Sequence, residues 1–234
     1  MDHAKHTLEG IAGLGRFRAV SSLRLRIVSL LVPLLALALV PQPAGAEGPV
    51  EPDIRSLFHR GSMQGGLVVG YGVGFRAGSK ANRRISRELG DVRPVAVIPR
   101  FGVGVTNPVG GDAWYRGNLE ILLEGALLFN TEPEFGFAGG VGSTLRYNFL
   151  PWRRVVPFVD ANFGVLGLDF DLARQSDGFN FNVGAGAGSH WLVGERSTIT
   201  TEVRWQHISN MNTQRPNDGI NDVLFLLGVS YFLP

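Results

Sequence analysis

The feature that most restricts this chain is a two-residue alternation, apolar against small or polar, repeated in eight long runs. The runs read as strands over about 65–75, 92–106, 114–130, 134–149, 155–169, 179–193, 197–210 and 221–233, with turn-type segments between them. Successive side chains of a strand point to opposite faces, so each run carries two faces of different chemistry. Many exceed the roughly 5–6 residues usual in soluble sheets and reach the roughly 9–11 needed to cross a bilayer at a tilt.

The two faces are unlike in a specific way. In the third run Leu119, Ile121, Leu123, Leu127 and Phe129 oppose Arg116, Asn118, Glu120, Glu124 and Asn130. In the fourth, Phe135, Phe137, Val141, Leu145, Tyr147 and Phe149 oppose Gly136, Gly140, Gly142, Thr144 and Arg146. The sixth sets Phe179, Phe181, Val183 and Trp191 against Asn180, Asn182, three glycines and His190. A soluble sandwich or lipocalin turns its large apolar residues inward and its charge outward. Here the second face is small and polar as well as charged, which suits a narrow interior. The expected fold class is all-β: an eight-stranded antiparallel outer-membrane β-barrel with a side-chain-filled polar lumen. A soluble barrel with a solvated charged face shares the periodicity, which alone does not say which face meets lipid. Arg100, Arg116, Glu120, Glu124, Arg146, Asp160, Glu202 and Arg204 are the expected inward charges, of both signs and so able to pair. Pro99 and Pro157 sit poorly inside such strands and are expected at bulges or strand ends.

The N-terminus reads differently. Residues 27–40 are apolar apart from Ser29, follow Arg16, Arg18, Arg24 and Arg26, and precede the small-residue site Ala44-Gly45-Ala46. That is the pattern of a secretory signal peptide; a retained anchor would want about 20 apolar residues. The expected organisation is a signal peptide over 1–46, an N-terminal periplasmic segment over 47–64 and the barrel over 65–234. The leader carries five of the 22 basic residues and two of the 20 acidic ones, leaving 17 against 18 in the remainder. The basic isoelectric point is thus a property of the leader, and no nucleic-acid partner is expected. The chain has no cysteine, which excludes disulfides and thiol chemistry.

With the N-terminus in the periplasm, connections at 107–113, 150–154 and 194–196 are periplasmic, and those at 76–91, 131–133, 170–178 and 211–220 face outward. Three of the outward four are longer than most of the periplasmic turns, as expected. The first carries Arg76, Lys80, Arg83, Arg84 and Arg87. Such a cluster is often only a solvated face, but guanidinium groups pair bidentately with phosphate. Lys80, Arg83 and Arg84 are therefore candidate contacts to phosphorylated lipid at the outer rim.

One segment departs from plain alternation: "RWQHISNMNTQRPNDGIND", residues 204–222. Ile199, Thr201, Val203, Trp205, His207 and Ser209 share the outward face, with Glu202, Arg204 and Gln206 inward. Residues at i and i+2 on one face lie about 6–7 Å apart at the backbone, within reach of an imidazole–hydroxyl hydrogen bond. Such a pair is an activated nucleophile for ester carbonyls. A histidine and a serine so spaced are by themselves weak evidence, and a polar pair at a barrel rim can simply be wet. The residues downstream add to it: "HISN", five residues, then "RPNDGIN" resembles the signature of the PagL family of lipid A 3-O-deacylases. That signature covers about 207–221; the strand layout and leader extend the agreement less specifically.

The resemblance implies His207 as general base, Ser209 as nucleophile and Asn217 as oxyanion donor, with Asn210 a structural or substrate-binding partner and Pro216 and Gly219 shaping the loop. An asparagine amide can donate to an oxyanion, and losing one such donor costs about 3–4 kcal/mol in known hydrolases. Asn217-Asp218-Gly219 equally reads as an ordinary hairpin turn. In one position the sequence departs from the family: twelve residues after the nucleophile the pattern has a glutamate that orients the histidine, and here stands Asn221. Three readings stay open: Asn221 orients the ring, Asp222 substitutes through local distortion, or activity is lost.

The resemblance implies an outer-membrane serine esterase acting on lipid A in lipopolysaccharide, localised to the bacterial outer membrane and needing no cofactor or metal. A structural or adhesive barrel on the same scaffold is the alternative, and a small porin a third. Dimerisation, a homodimer included, is left open. "GYGVGF" and "GGVGST" lie within strands and precede no helix, so they read as lumen glycines rather than phosphate loops. His59, His190 and His207 are too dispersed for a metal set, and Glu120 with Glu124 reads as lumen ion pairing rather than a catalytic carboxylate pair.

Overall fold

The computed structural model describes residues 53–76 and 87–234, all within one unit spanning 42–234. The expected leader and the candidate contacts Lys80, Arg83 and Arg84 lie outside the described residues. Eight strands, β1 (Met63–Gly74), β2 (Pro94–Gly104), β3 (Gly117–Asn130), β4 (Gly136–Phe149), β5 (Val155–Asp169), β6 (Gly178–Leu192), β7 (Ser197–Ser209) and β8 (Ile220–Phe232), follow one another around a closed antiparallel barrel. The seam is complete, β1 pairing with β8 from Gln64↔Phe232 to Gly74↔Asp222. Closure leaves no unpaired edge, the condition for strands in a hydrocarbon medium.

The alternation in the sequence becomes an alternation in exposure. Ile121, Leu123, Val141, Leu145 and Phe163 are exposed on the outer wall, whereas Asn118, Glu120, Arg146 and Asn148 are buried inside. Aromatic contacts collect at both ends of the wall: Phe129 on Phe137 and Phe179 on Phe181 at one, Trp114 on Phe149 and Tyr147 on Phe149 at the other. Two aromatic girdles flanking an apolar band are the outer surface of a barrel that sits in a bilayer.

The lumen is layered rather than uniformly polar. Across its middle Arg100, Arg146 and Arg204 meet Glu124, Asp160 and Glu202 at 2.7 to 3.2 Å. Glu120 joins from below through Gln64 and Asn148. Toward the end where β7 meets β8's first residues, the interior is apolar: Leu89, Val92, Phe170, Ile208, Ile220 and Leu224 belong to one buried cluster. At the opposite end a 3₁₀ turn, Ile54–Leu57, brings Ile54 and Phe58 against Leu150, Val156 and Phe232. Apolar layers close both mouths of a charged core.

Two expectations change. Arg116 precedes β3 and is only half-buried, so it is not a lumen charge; the turn between β2 and β3 runs longer than the alternation suggests. Pro99 makes no bulge. It pairs with Leu67 on β1, and the ladder to β3 lapses only between Val97↔Leu127 and Arg100↔Glu124, on one unbroken register. The missing N–H falls in that gap, and opposite it stands Gly125, where a Cβ would lie 3.0 Å from the proline ring. Pro157 sits where pairing of β5 to β4 has just ended at Phe158, a strand-end position on that side.

Candidate active site

β7 presents the two candidate side chains, His207 and Ser209, by parity alone. Glu202, Arg204, Gln206 and Ile208 are buried inward, while Thr201, Val203 and Trp205 are exposed on the wall and His207 and Ser209 continue that outer face half-buried. The partial cover comes from neighbours in register: His207 lies between Val183 of β6 and Asn221 of β8, and Ser209 lies beside Phe181.

The imidazole is held on two sides. Its Nδ1 is 3.0 Å from Oδ1 of Asn221, the residue directly across the ladder. An amide oxygen only accepts, so this contact places the ring proton on Nδ1 and leaves Nε2 with its lone pair, the tautomer a general base needs. On the other side is Gly219, with φ of 76°; a Cβ there would stand 2.5 Å from the ring's Cε1. Only glycine satisfies both the left-handed backbone and the close approach.

Asp222 does not reach the histidine. It is buried on the lumen side and accepts a 3.0 Å hydrogen bond from Gln206 Nε2, so the barrel wall separates it from His207 and no local distortion turns it outward. Of the two groups the sequence offered for orienting the ring, Asn221 is the one in contact.

The loop between β7 and β8 is organised around Asn210. Its backbone N–H donates to Asn217 Oδ1 at 3.0 Å; its side-chain amide donates to Ser176 Oγ at 2.7 Å and to the Gln214 carbonyl at 3.1 Å. Its carbonyl accepts from Thr213 N–H and Oγ–H. Asn210 is fully buried, so it is a loop anchor and not a substrate-binding residue. Its grip on Asn217 matters chemically: with the amide oxygen occupied by the Asn210 N–H, the Asn217 NH₂ is left to donate elsewhere, and among the described residues it reaches Asn212 Oδ1 at 3.4 Å.

Nothing in the alternation or the motif points to the group that holds this loop from outside. Residues 174–176, between β5 and β6, run alongside it: Asp218 N–H donates to the Arg174 carbonyl, Ser176 N–H to the Pro216 carbonyl, and Gly219 N–H to Gln175 Oε1 at 2.9 Å. Arg174 closes the rim on Asp218 Oδ2 at 2.5 Å. The nearest signal in the sequence is only that the β5–β6 connection is among the longer ones.

A family model described as lipid A 3-O-deacylase (PagL) matches residues 99–230, more than half of the chain. No curated protein sequence matches. Among solved structures the chain is similar to Neisserial surface protein A, with 16% identity, TM-score 0.45, and coverage of 73% of this chain and 95% of that one. It is also similar to the outer membrane enzyme PagL, with 17% identity, TM-score 0.44, and coverage of 72% and 98%. A third is the N-terminal β-barrel domain of Pseudomonas aeruginosa OprF, with 14% identity, TM-score 0.42, and coverage of 74% and 98%.

Proposed function

This chain belongs to the PagL family of lipid A 3-O-deacylases, proteins of the bacterial outer membrane, and on that premise we propose that it is a serine esterase. Its reaction is removal of the ester-linked 3-hydroxyacyl chain at position 3 of lipid A. The observation that carries this reading is His207, its Nδ1 bound by Asn221, on the lipid-facing wall and two residues from Ser209 on the same strand face.

Ser209 Oγ attacks the ester carbonyl while its proton passes to His207 Nε2. The Asn217 amide, aimed by Asn210, donates to the oxyanion that forms. As the tetrahedral species collapses, the imidazolium returns the proton to the departing sugar oxygen. Water, deprotonated by the same histidine, then releases the fatty acid from the acyl-serine. An outward-facing site suits a substrate that already lies in the outer leaflet: the ester arrives sideways from the membrane and enters no pocket.

Asn221 sets the rate. It holds the ring and its tautomer but brings no charge to stabilise the imidazolium, so a slower enzyme than its acid-bearing relatives is expected. The same asparagine favours a second reading, a non-catalytic barrel that keeps the scaffold. Mass spectrometry of lipopolysaccharide from a deacylase-free host decides: expression of the protein removes one 3-hydroxyacyl chain, and Ser209→Ala abolishes the loss. Unchanged acylation with folded wild-type protein, together with no labelling of Ser209 by a lipophilic fluorophosphonate, supports the non-catalytic barrel.

A further inference from the structure

Gln175 lies outside the His-Ser signature, on a different connection, yet it is one of the most buried polar residues near the site, at 1% exposure. Both ends of its amide are committed. Oε1 accepts from Gly219 N–H at 2.9 Å, and Nε2 donates to Asn180 Oδ1 at 2.9 Å, at the start of β6. Its backbone bridges Leu172 on its own loop and Asn217 on the other. Gly219, in turn, is the residue against which the His207 ring rests, with no room for even one added carbon.

We infer that Gln175 is a positioning residue for His207: its side chain pins the Gly219 peptide and thereby fixes the surface that sets the imidazole's plane and its approach to Ser209. The Gly219 N–H has no ladder partner, and a loop glycine is otherwise free to move through a wide range of φ and ψ. Held by a buried amide that is itself anchored on β6, it becomes a rigid stop. The ring is then fixed on one side by Asn221 and on the other by Gly219, and loss of either lets it turn away. A misplacement of about 1 Å at a reacting group costs on the order of 100-fold in rate.

The kinetic part of this inference rests on the esterase reading; the positional part does not. The test uses the full barrel in micelles with histidine ¹³C-labelled at Cε1, the His207 signal being assigned by its loss in His207→Gln. In Gln175→Leu, and in the milder Gln175→Asn, whose side chain is one methylene too short to reach Gly219, the His207 resonance is expected to shift or split. That of His190, buried at the far end of the lumen, stays in place. Gln175→Glu keeps an acceptor for Gly219 N–H but loses the donor to Asn180 Oδ1, so its His207 signal is expected between those of wild type and Gln175→Leu. On purified lipopolysaccharide, Gln175→Leu and Gln175→Asn are expected to lower kcat about 10- to 100-fold with KM within about threefold of wild type. An unmoved His207 resonance in both Gln175→Leu and Gln175→Asn overturns the assignment. A moved resonance in a protein whose wild type shows no deacylation upholds the positioning and refutes the esterase instead.

Discussion

On the proposed esterase reading, one contact at His207 separates an oriented base from an activated one. The Asn221 amide oxygen, 3.0 Å from Nδ1, fixes the tautomer, which is the part of the orienting role that geometry supplies. The part it lacks is charge. In a serine protease the acid-to-amide change costs about 10⁴ in kcat, much of it through the wrong tautomer; here the tautomer is right, so the deficit is smaller and recoverable. Asn221→Glu is expected to raise deacylation at least about tenfold, read as fatty-acid release per unit time, whereas Asn221→Ala lowers it. Gly219→Ala tests the other side of the ring. A methyl group 2.5 Å from Cε1, on a backbone with φ of 76°, must push the imidazole or the loop aside. The expected loss is on the order of 100-fold in kcat, with the barrel still migrating as a folded species on unheated gels.

At the scale of elements, the strands and the short N-terminal turn depend on different forces. Each strand is held by ladders on both sides and by its outward apolar face. The 3₁₀ turn has no ladder: it docks through Ile54, Phe58 and one hydrogen bond from Ile54 N–H to the Arg153 carbonyl. Asp53 caps it, accepting from Arg55 N–H at 3.0 Å and from the Arg55 guanidinium at 2.6 to 3.0 Å. Those side-chain hydrogen bonds, with the backbone one and the nearby positive charge, hold the Asp53 carboxyl below its ordinary 3.8. A depressed carboxyl stabilises the docked turn above its unfolded value and loses that contribution as pH falls through the folded one. Protection of the Ile54 amide from hydrogen exchange, corrected for intrinsic rate, is expected to drop as the pH is lowered from about 4. In Asp53→Asn, which does not titrate, this part of the pH dependence is absent.

For the whole molecule the decisive feature is the charged layer between two apolar ones. Glu202 is its hub, with carboxylate oxygens 2.8 Å from Arg100, 3.2 Å from Arg146 and 2.7 Å from Arg204. Pairing makes burial of three guanidinium groups tolerable, and removing one partner leaves charge uncompensated in a dry interior. Glu202→Gln is expected to destabilise the barrel by about 3–5 kcal/mol in urea unfolding followed by tryptophan fluorescence. Ser209→Ala, which touches none of this layer, leaves the unfolding midpoint in place. On the proposed esterase reading the two variants thus separate stability, carried by the inner face of β7, from chemistry, carried by its outer face.

The alternation alone specified eight strands, their boundaries to within three residues, and which side chains share a face, because a period of two is a local property of backbone geometry. It also placed His207 and Ser209 on one face, since parity carries along a strand. It misplaced Arg116 and expected a bulge or a strand end at Pro99, because where a turn ends and whether a ladder can skip one bond depend on the neighbouring strand. The tertiary structure alone decided which residue touches the His207 ring, favoured the structural over the substrate-binding reading of Asn210 by burying it, and brought Gln175 to Gly219 across 44 positions of sequence. Such pairings are set by the register between distant segments, and a register is a property of two strands that neither sequence expresses by itself.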